Sequence, residues 1–321
     1  MINHELMLFA GNANPDLAPR IGKYLKTKLS PARVAKFPEG EISVQLGKPV
    51  RGADVFLIQG TSAPPNQNMM ELLVMIDALK RASAGRITAV LPFYGYGRQD
   101  RKDKPRVPIT AKLVANLITA AGADRLLTID LHAAQIQGFF DIPVDHLHSA
   151  PVFIKYLNDR LTRSDRKNMV VVSPDVGGIK IADRFAQYLK LPLAIVDKRR
   201  WGDSEIEVRN VIGEVKGKDV LLIDDLVSTG NSLVSAIKSL KEIGAGRILA
   251  AVTHAVFCGA AVEKLNDCPL EKCWVTDTIA LNKEARLSPK IEVLSVAGLL
   301  GEAIKRIHQN TPVSILFELH E

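Results

Sequence analysis

The chain repeats itself once, at long range. Ala84-Gly85-Arg86-Ile87 recurs 161 residues later as Ala245-Gly246-Arg247-Ile248, and at the same spacing Leu72, Ile76, Leu79 and Lys80 meet Leu233, Ile237, Leu240 and Lys241. Eight matches in one register are the mark of a duplicated unit, and a period this long excludes a solenoid of short repeats. Two copies within 321 residues leave each the size of an ordinary domain.

Each copy alternates short β-rich runs with helical patterns. In the first, 55–59 reads as strand, 69–82 as helix, 87–91 as strand, 111–121 as helix and 126–130 as strand. The helix over 69–82 follows from apolar Met69, Leu72, Leu73, Ile76 and Leu79, spaced three and four apart, with Lys80 and Arg81 in its last turn. In the second copy, strands are predicted at 170–173, 193–196, 220–223 and 247–252 and a helix at 232–243. Strands alternating with helices specify α/β domains, each a mainly parallel sheet flanked by helices. The join falls around residues 147–151.

A net charge of +7 suits a phosphate-rich partner, but only 5% of residues are aromatic, too few to supply stacking platforms for single-stranded nucleic acid. Residues 1–11 carry no basic leader, and no apolar run approaches the ~18 residues that span a bilayer, so a cytoplasmic protein without membrane contact is expected. Cys258, Cys268 and Cys273 are expected to be reduced, structural thiols, since the nearest pair is spaced C-x4-C with no companion pair.

The copies part company after one strand. In the first, Val55-Phe56-Leu57-Ile58 leads into Gln59-Gly60-Thr61-Ser62. In the second, Val220-Leu221-Leu222-Ile223 leads into Asp224-Asp225-Leu226-Val227-Ser228-Thr229-Gly230-Asn231-Ser232. A strand ending in two carboxylates, then a small-residue turn opening a helix, is suited to a sugar phosphate. The backbone N–H groups of 228–232 and the hydroxyls of Ser228, Thr229 and Ser232 can receive a phosphate at the positive helix end. Asp224 and Asp225 can accept from vicinal ribose hydroxyls. The alternative is a plain strand–turn–helix corner, with Asp225 as turn former and Ser228 or Thr229 as N-cap.

The 221–232 stretch resembles the phosphoribosyl-binding loop of type I phosphoribosyltransferases and of ribose-phosphate pyrophosphokinases, although Ser228, Asn231 and Ser232 depart from the usual turn. The segment Asp130-Leu131-His132-Ala133-Ala134-Gln135-Ile136-Gln137-Gly138-Phe139-Phe140-Asp141-Ile142-Pro143-Val144-Asp145-His146-Leu147 is similar to a pyrophosphokinase stretch that the phosphoribosyltransferases lack. The chain is thus identified as a member of the pyrophosphokinase family along nearly its whole length. The resemblance implies two type I phosphoribosyltransferase-like domains, 1–148 on the ATP and metal side and 149–304 carrying the ribose 5-phosphate loop, with a tail over 305–321.

The family likeness also implies roles. Phe37-Pro38-Glu39-Gly40-Glu41 resembles an ATP-pocket motif, implicating Phe37, Glu39, Gly40 and Glu41, and Arg98 and Gln99 sit in the family's ATP segment. Lys198 and Arg200, in a basic flap, correspond to its catalytic pair, and Arg200 also faces ribose 5-phosphate. Asp224, Asp225, Ser228, Thr229, Gly230, Asn231 and Ser232 would hold that sugar. His132 and Asp175 would hold Mg²⁺, with Asp130, Asp141 and Asp145 as further candidates. Asp141 and Asp145 read equally as loop caps, and His146 with His148 as surface residues rather than a chelate. The implied reaction moves the β,γ-diphosphoryl group of ATP to the C1 hydroxyl of ribose 5-phosphate, releasing AMP, in a hexamer by family analogy. A non-catalytic regulatory relative and a type I phosphoribosyltransferase are the alternatives. Residues 103–107 depart from the family's regulatory loop, and Arg51, Ser83 and Ser314 lie in stretches resembling those around its phosphate and ADP site.

Overall fold

The computed structural model describes residues 4–201 and 205–316, those from 197 to 210 by their backbone alone. The chain divides into two compact units, one from the amino terminus to His148 with Thr278–Ala280 and the stretch from Ser295 onward, the other Ser149–Asp277 with Leu281–Leu294.

The first unit runs β1 (Leu6–Ala10), α1 (Leu17–Leu25), β2 (Ala32–Lys36), β3 (Ile42–Leu46), β4 (Asp54–Ile58), α2 (Pro65–Arg81), β5 (Arg86–Leu91), α3 (Thr110–Ala121), β6 (Arg125–Ile129) and β7 (Val144–Leu147), with a 3-10 turn at Ala134–Phe139. Its five parallel strands lie in the order β1-β4-β5-β6-β7, and β2 and β3 form a separate antiparallel hairpin. β4 is buried along its whole length, as a strand covered on both faces must be.

The second unit runs α4 (Ala150–Arg160), α5 (Arg163–Lys167), β8 (Met169–Ser173), α6 (Ile179–Leu189), β9 (Leu193–Trp201), β10 (Glu205–Ile212), β11 (Asp219–Val227), α7 (Asn231–Glu242), β12 (Ile248–Ala255), α8 (Ala261–Asp267), β13 (Lys272–Thr276), α9 (Lys283–Leu287) and β14 (Ile291–Leu294). The sheet order is β10-β9-β8-β11-β12-β13-β14, parallel except where β10 turns back on β9.

The duplication read from letters is therefore a duplication of topology. β1-β4-β5-β6-β7 matches β8-β11-β12-β13-β14 strand for strand, and the β2–β3 hairpin occupies the place in chain order of β9–β10. The recurring Ala-Gly-Arg-Ile has a steric reason. A Cβ on Gly85 would meet the Gly52 carbonyl oxygen at 2.7 Å, and one on Gly246 would meet Asp219 Oδ1 at 2.7 Å.

Among the boundaries that differ from the sequence expectation, two have a clear tertiary cause. Helix α10 (Ala297–His308), expected in the second domain as far as residue 304, belongs to the first unit. Its apolar stripe, Ala297, Leu300, Gly301, Ile304 and Ile307, is buried, and Tyr24 of α1 donates from its hydroxyl to Glu302. The strand expected to end at Ile223 continues through Asp224 and Asp225 to Val227, because β12 extends beside it as far as Ala255 and keeps the hydrogen-bond ladder going.

Candidate active site

In the second unit the chain leaves β8 through α6 toward β9 on one side, while β11 pairs on the other. This is a topological switch point, where open parallel sheets form a crevice beyond the strand ends. The loop after β8 and the end of β11 meet there. β8 pairs with β11 only as far as Val172↔Leu222, so Asp224 and Asp225 project past the last residue of their neighbour.

The loop after β8 is built by Asp175. Its Oδ1 accepts the Gly178 N–H at 3.0 Å and its carbonyl accepts the Ser173 hydroxyl at 2.7 Å. Asp224 is the electrostatic centre: burial pushes its carboxyl well above the usual carboxylate range, and the charges of Asp225 and then Asp175 push the same way. Three carboxylates thus converge at one switch point. Oxygen donors concentrated in this way suit a hard divalent cation or the hydroxyls of a sugar.

The small-residue turn follows. The Ser228 carbonyl accepts the Cys258 N–H at 2.9 Å, which ties the turn to the chain beyond β12. Gly230 takes φ +77° at the start of α7, a left-handed conformation that favours glycine. Asn231 Oδ1 accepts from Lys264 Nζ at 2.8 Å, so its side chain is already engaged, while Thr229 is exposed. β9 carries Lys198 and Arg200 in antiparallel register with Val208 and Ile206. Their side chains, and the tip 202–204, lie outside the described residues.

In the first unit, Phe37–Glu41 forms the exposed tip of the β2–β3 hairpin. The Phe37 N–H donates to the Glu41 carbonyl and the Gly40 N–H to the Phe37 carbonyl, both at 2.9 Å. Phe37 is 50% exposed, an aromatic ring held outward on a stiff turn. Arg98 and Gln99 are also exposed. The Thr110 hydroxyl donates to Gln99 Oε1 at 2.5 Å, and Gln135 donates to Asp100 Oδ2 at 2.8 Å. Gln135 lies in the 130–147 stretch already noted, but the sequence gives no role to it or to Thr110, since each is an ordinary polar residue at a helix or turn start.

The candidate cation ligands fall in different settings. His132 is exposed just after β6 in the first unit, while Asp175 is half-buried in the second. Asp130 is buried at φ +37° and faces His148 Nδ1 across 3.2 Å. Asp141 is exposed. Asp145 accepts from Arg125 Nη1 at 2.7 Å near the start of β6, a structural ion pair that engages its carboxylate. His146 is not the surface residue expected: only 8% exposed, it accepts the Leu131 N–H on Nε2 at 2.9 Å. Strand β7, at the edge of the sheet, carries it inward with Thr128 of β6 as its register partner. Asp130, His146 and His148 bring potential ligand atoms within 4.8 Å of one another.

Of the three free cysteines, Cys268 and Cys273 are buried and Cys258 is exposed, and burial pushes the Cys273 thiol up to about 12. Among the described residues no helix is long and apolar enough to cross a membrane.

Residues 6–122 match the N-terminal domain of ribose phosphate pyrophosphokinase, and residues 204–318 match a phosphoribosyl synthetase-associated domain. A ribose-phosphate pyrophosphokinase of Thermosipho africanus is 52% identical over 98% of both chains. One of Chlorobaculum tepidum is 54% identical over 98% of this chain and 95% of its own. The crystal structure of phosphoribosylpyrophosphate synthetase from Mycobacterium smegmatis superposes with a TM-score of 0.89 at 43% identity, covering 95% of this chain and 99% of that one.

Proposed function

The chain belongs to the ribose-phosphate pyrophosphokinase family, and from that premise we propose how its own residues carry the transfer. It is an enzyme, a ribose-phosphate diphosphokinase acting in nucleotide biosynthesis: the β,γ-diphosphoryl group of ATP passes to the C1 hydroxyl of ribose 5-phosphate, giving 5-phosphoribosyl 1-diphosphate and AMP.

The observation that carries the site assignment is that, in the second unit alone, Asp224 and Asp225 stand at the end of β11 beyond its pairing with β8, at the switch point where the Asp175 loop leaves β8. Asp224 and Asp225 take the ribose hydroxyls, and the turn from Ser228 to Ser232 takes the 5-phosphate on backbone N–H groups at the start of α7. Held this way, the sugar presents its C1 oxygen in line with the β-phosphorus, and positioning supplies much of the rate. Lys198 and Arg200 on β9 neutralise phosphate oxygens as charge moves toward the departing AMP. Phe37, Glu39, Gly40 and Glu41 at the hairpin tip, with Arg98 and Gln99, hold ATP. A solvent-facing aromatic ring and a guanidinium suit a base and its phosphates.

His132 and Asp175 are the residues assigned to Mg²⁺, with Asp130 and Asp141 in reserve. Carboxylate oxygen and imidazole nitrogen are fitting ligands for a divalent cation, which when bound would offset phosphate charge. A homo-oligomer, hexameric by analogy, in the cytoplasm completes the reading.

The test is to supply ATP, ribose 5-phosphate and Mg²⁺ and follow the nucleotide products. AMP in equimolar yield with 5-phosphoribosyl 1-diphosphate is expected; ADP as the product, or no turnover, overturns the reading.

A further inference from the structure

The duplicated topology places a second switch point in the first unit, between β1 and β4. At the spacing that aligns α2 with α7, Glu71 is the counterpart of Ser232 and Met70 that of Asn231, where α7 begins. Helix α2 already begins at Pro65, so helix fills the stretch where the second copy has its open turn.

Glu71 is only 1% exposed. Its Oε1 accepts the Asn12 backbone N–H at 2.5 Å and Gln59 Nε2 at 2.8 Å, and its Oε2 accepts Asn12 Nδ2 at 3.0 Å. The next amide, Ala13 N–H, goes to Gln59 Oε1 at 3.2 Å. Asn12 and Ala13 lie in the loop after β1, the counterpart of the Asp175 loop after β8. One loop backbone amide and two side-chain amides thus converge on an oxyanion at a sheet switch point, where such folds use backbone N–H groups to hold phosphate. Here the oxyanion belongs to the protein. All its described donors are neutral amides, so three hydrogen bonds carry the burden of a buried charge. A Cβ on Gly11 would meet Gln59 Oε1 at 2.3 Å and Glu71 Oε1 at 2.6 Å, which shows how fully these side chains fill the corner.

We propose that the first unit retains a small-oxyanion site at its β1–β4 switch point and that the Glu71 carboxylate occupies it as a built-in ligand. The site is closed from within, which is why only the second copy offers a phosphate cradle. Removing the side chain beyond Cβ should open the corner to a free carboxylate or phosphate of similar size.

The experiment uses the full chain and reads amide hydrogen exchange in the peptide spanning residues 11–17, which lies apart in sequence from the second copy's own loop. Glu71→Ala is expected to exchange there at least tenfold faster than wild type. Sodium formate, and in a second arm inorganic phosphate, should slow it saturably relative to sodium chloride at equal ionic strength, while the wild-type peptide does not respond. Unchanged exchange in Glu71→Ala, or a response to formate no greater than to chloride, overturns the proposal. Should Glu71→Ala fail to fold, Glu71→Gln keeps the shape without the charge: faster exchange at 11–17 is expected, and unaltered protection overturns the proposal. Turnover is not part of the readout, so failure here is separable from failure of the assigned reaction.

Discussion

Arg86 grips Asp54 with two parallel hydrogen bonds, Nε to Oδ1 at 2.8 Å and Nη2 to Oδ2 at 2.6 Å, across register partners at the start of β5 and β4. The second unit repeats the pair at the same corner. There Arg247 Nε donates to Asp219 Oδ2 at 2.9 Å, and the Arg247 backbone N–H to Asp219 Oδ1 at 2.8 Å. What each pair then holds differs. Arg86 Nη2 reaches the Ile307 carbonyl at 3.0 Å, and His308 Nδ1 lies 2.8 Å from Asp54 Oδ2, which fastens α10. Arg247 instead reaches Asp165 of α5 at 2.8 Å.

Arg86→Ala leaves the Asp54 carboxylate buried without its bidentate partner, a loss of about 3 kcal/mol. Urea denaturation should show the midpoint falling accordingly, with α10 exchanging amide protons faster than the strands. Arg86→Lys should recover only part of the loss, because a point charge does not reproduce the fork. A midpoint unchanged in Arg86→Ala would show that the corner is not what fastens the helix.

Asp165 is held down to about 2 by the Thr162 hydrogen bond first and Arg247 second. A folded-state value below the unfolded one contributes stability that is present above about pH 4 and is lost as pH falls through the folded value. Asp165→Asn should therefore be less stable than wild type at pH 7, by a margin that shrinks as pH falls from about 4 through 2. Denaturant midpoints of the two proteins across that range check the sign; a gap as wide at pH 2 as at pH 7 would contradict it.

Asp224 shows the opposite shift, upward through burial, Asp225 and Asp175 in that order. Such a group is most favourable below its unfolded value, and its contribution is lost as pH rises through the folded one. Without ligand, Asp224→Asn should melt above wild type, by a margin larger at pH 8 than at pH 5, while ribose 5-phosphate binding collapses. Stability gained where function is lost is the pattern of strain kept at a site. A melting temperature that falls at both pH values would count against it.

Lys198 lies on β9, between β8 and the edge strand β10, with Val208 of β10 as its register partner. If its cation acts on the transition state, Lys198→Ala should lower kcat by about 10²-fold or more while the KM for ribose 5-phosphate stays within a few-fold. Initial rates of AMP formation measure both. Unchanged turnover would remove Lys198 from the mechanism.

Much of this was legible in the letters. The eight matched positions announced two copies because the same packing and the same Arg–Asp corner select the same residues twice, and Gly85 and Gly246 are bound by contacts no side chain could share. The acidic turn was legible because Asp224 and Asp225 stand alone against an apolar strand, and that difference between the copies singled out the candidate site.

What the letters left open depended on neighbours distant in sequence. Asp145 reads as a loop acid until β7 sets it beside Arg125, and His146 reads as surface until the same strand turns it inward against Leu131. α10 follows the second copy in the chain yet is fastened to the first by Asp54 and Arg86, more than two hundred residues earlier. Glu71 looks like one more helical glutamate until β1 and β4 bring Asn12 and Gln59 around it. Periodicity and local chemistry determined the elements, their duplication and the acidic loop, because those follow from interactions within a few residues. Burial, ion-pair choice and the closing of the first switch point were decided by the tertiary structure, because the desolvation and partners of a polar group are properties of the packed sheet.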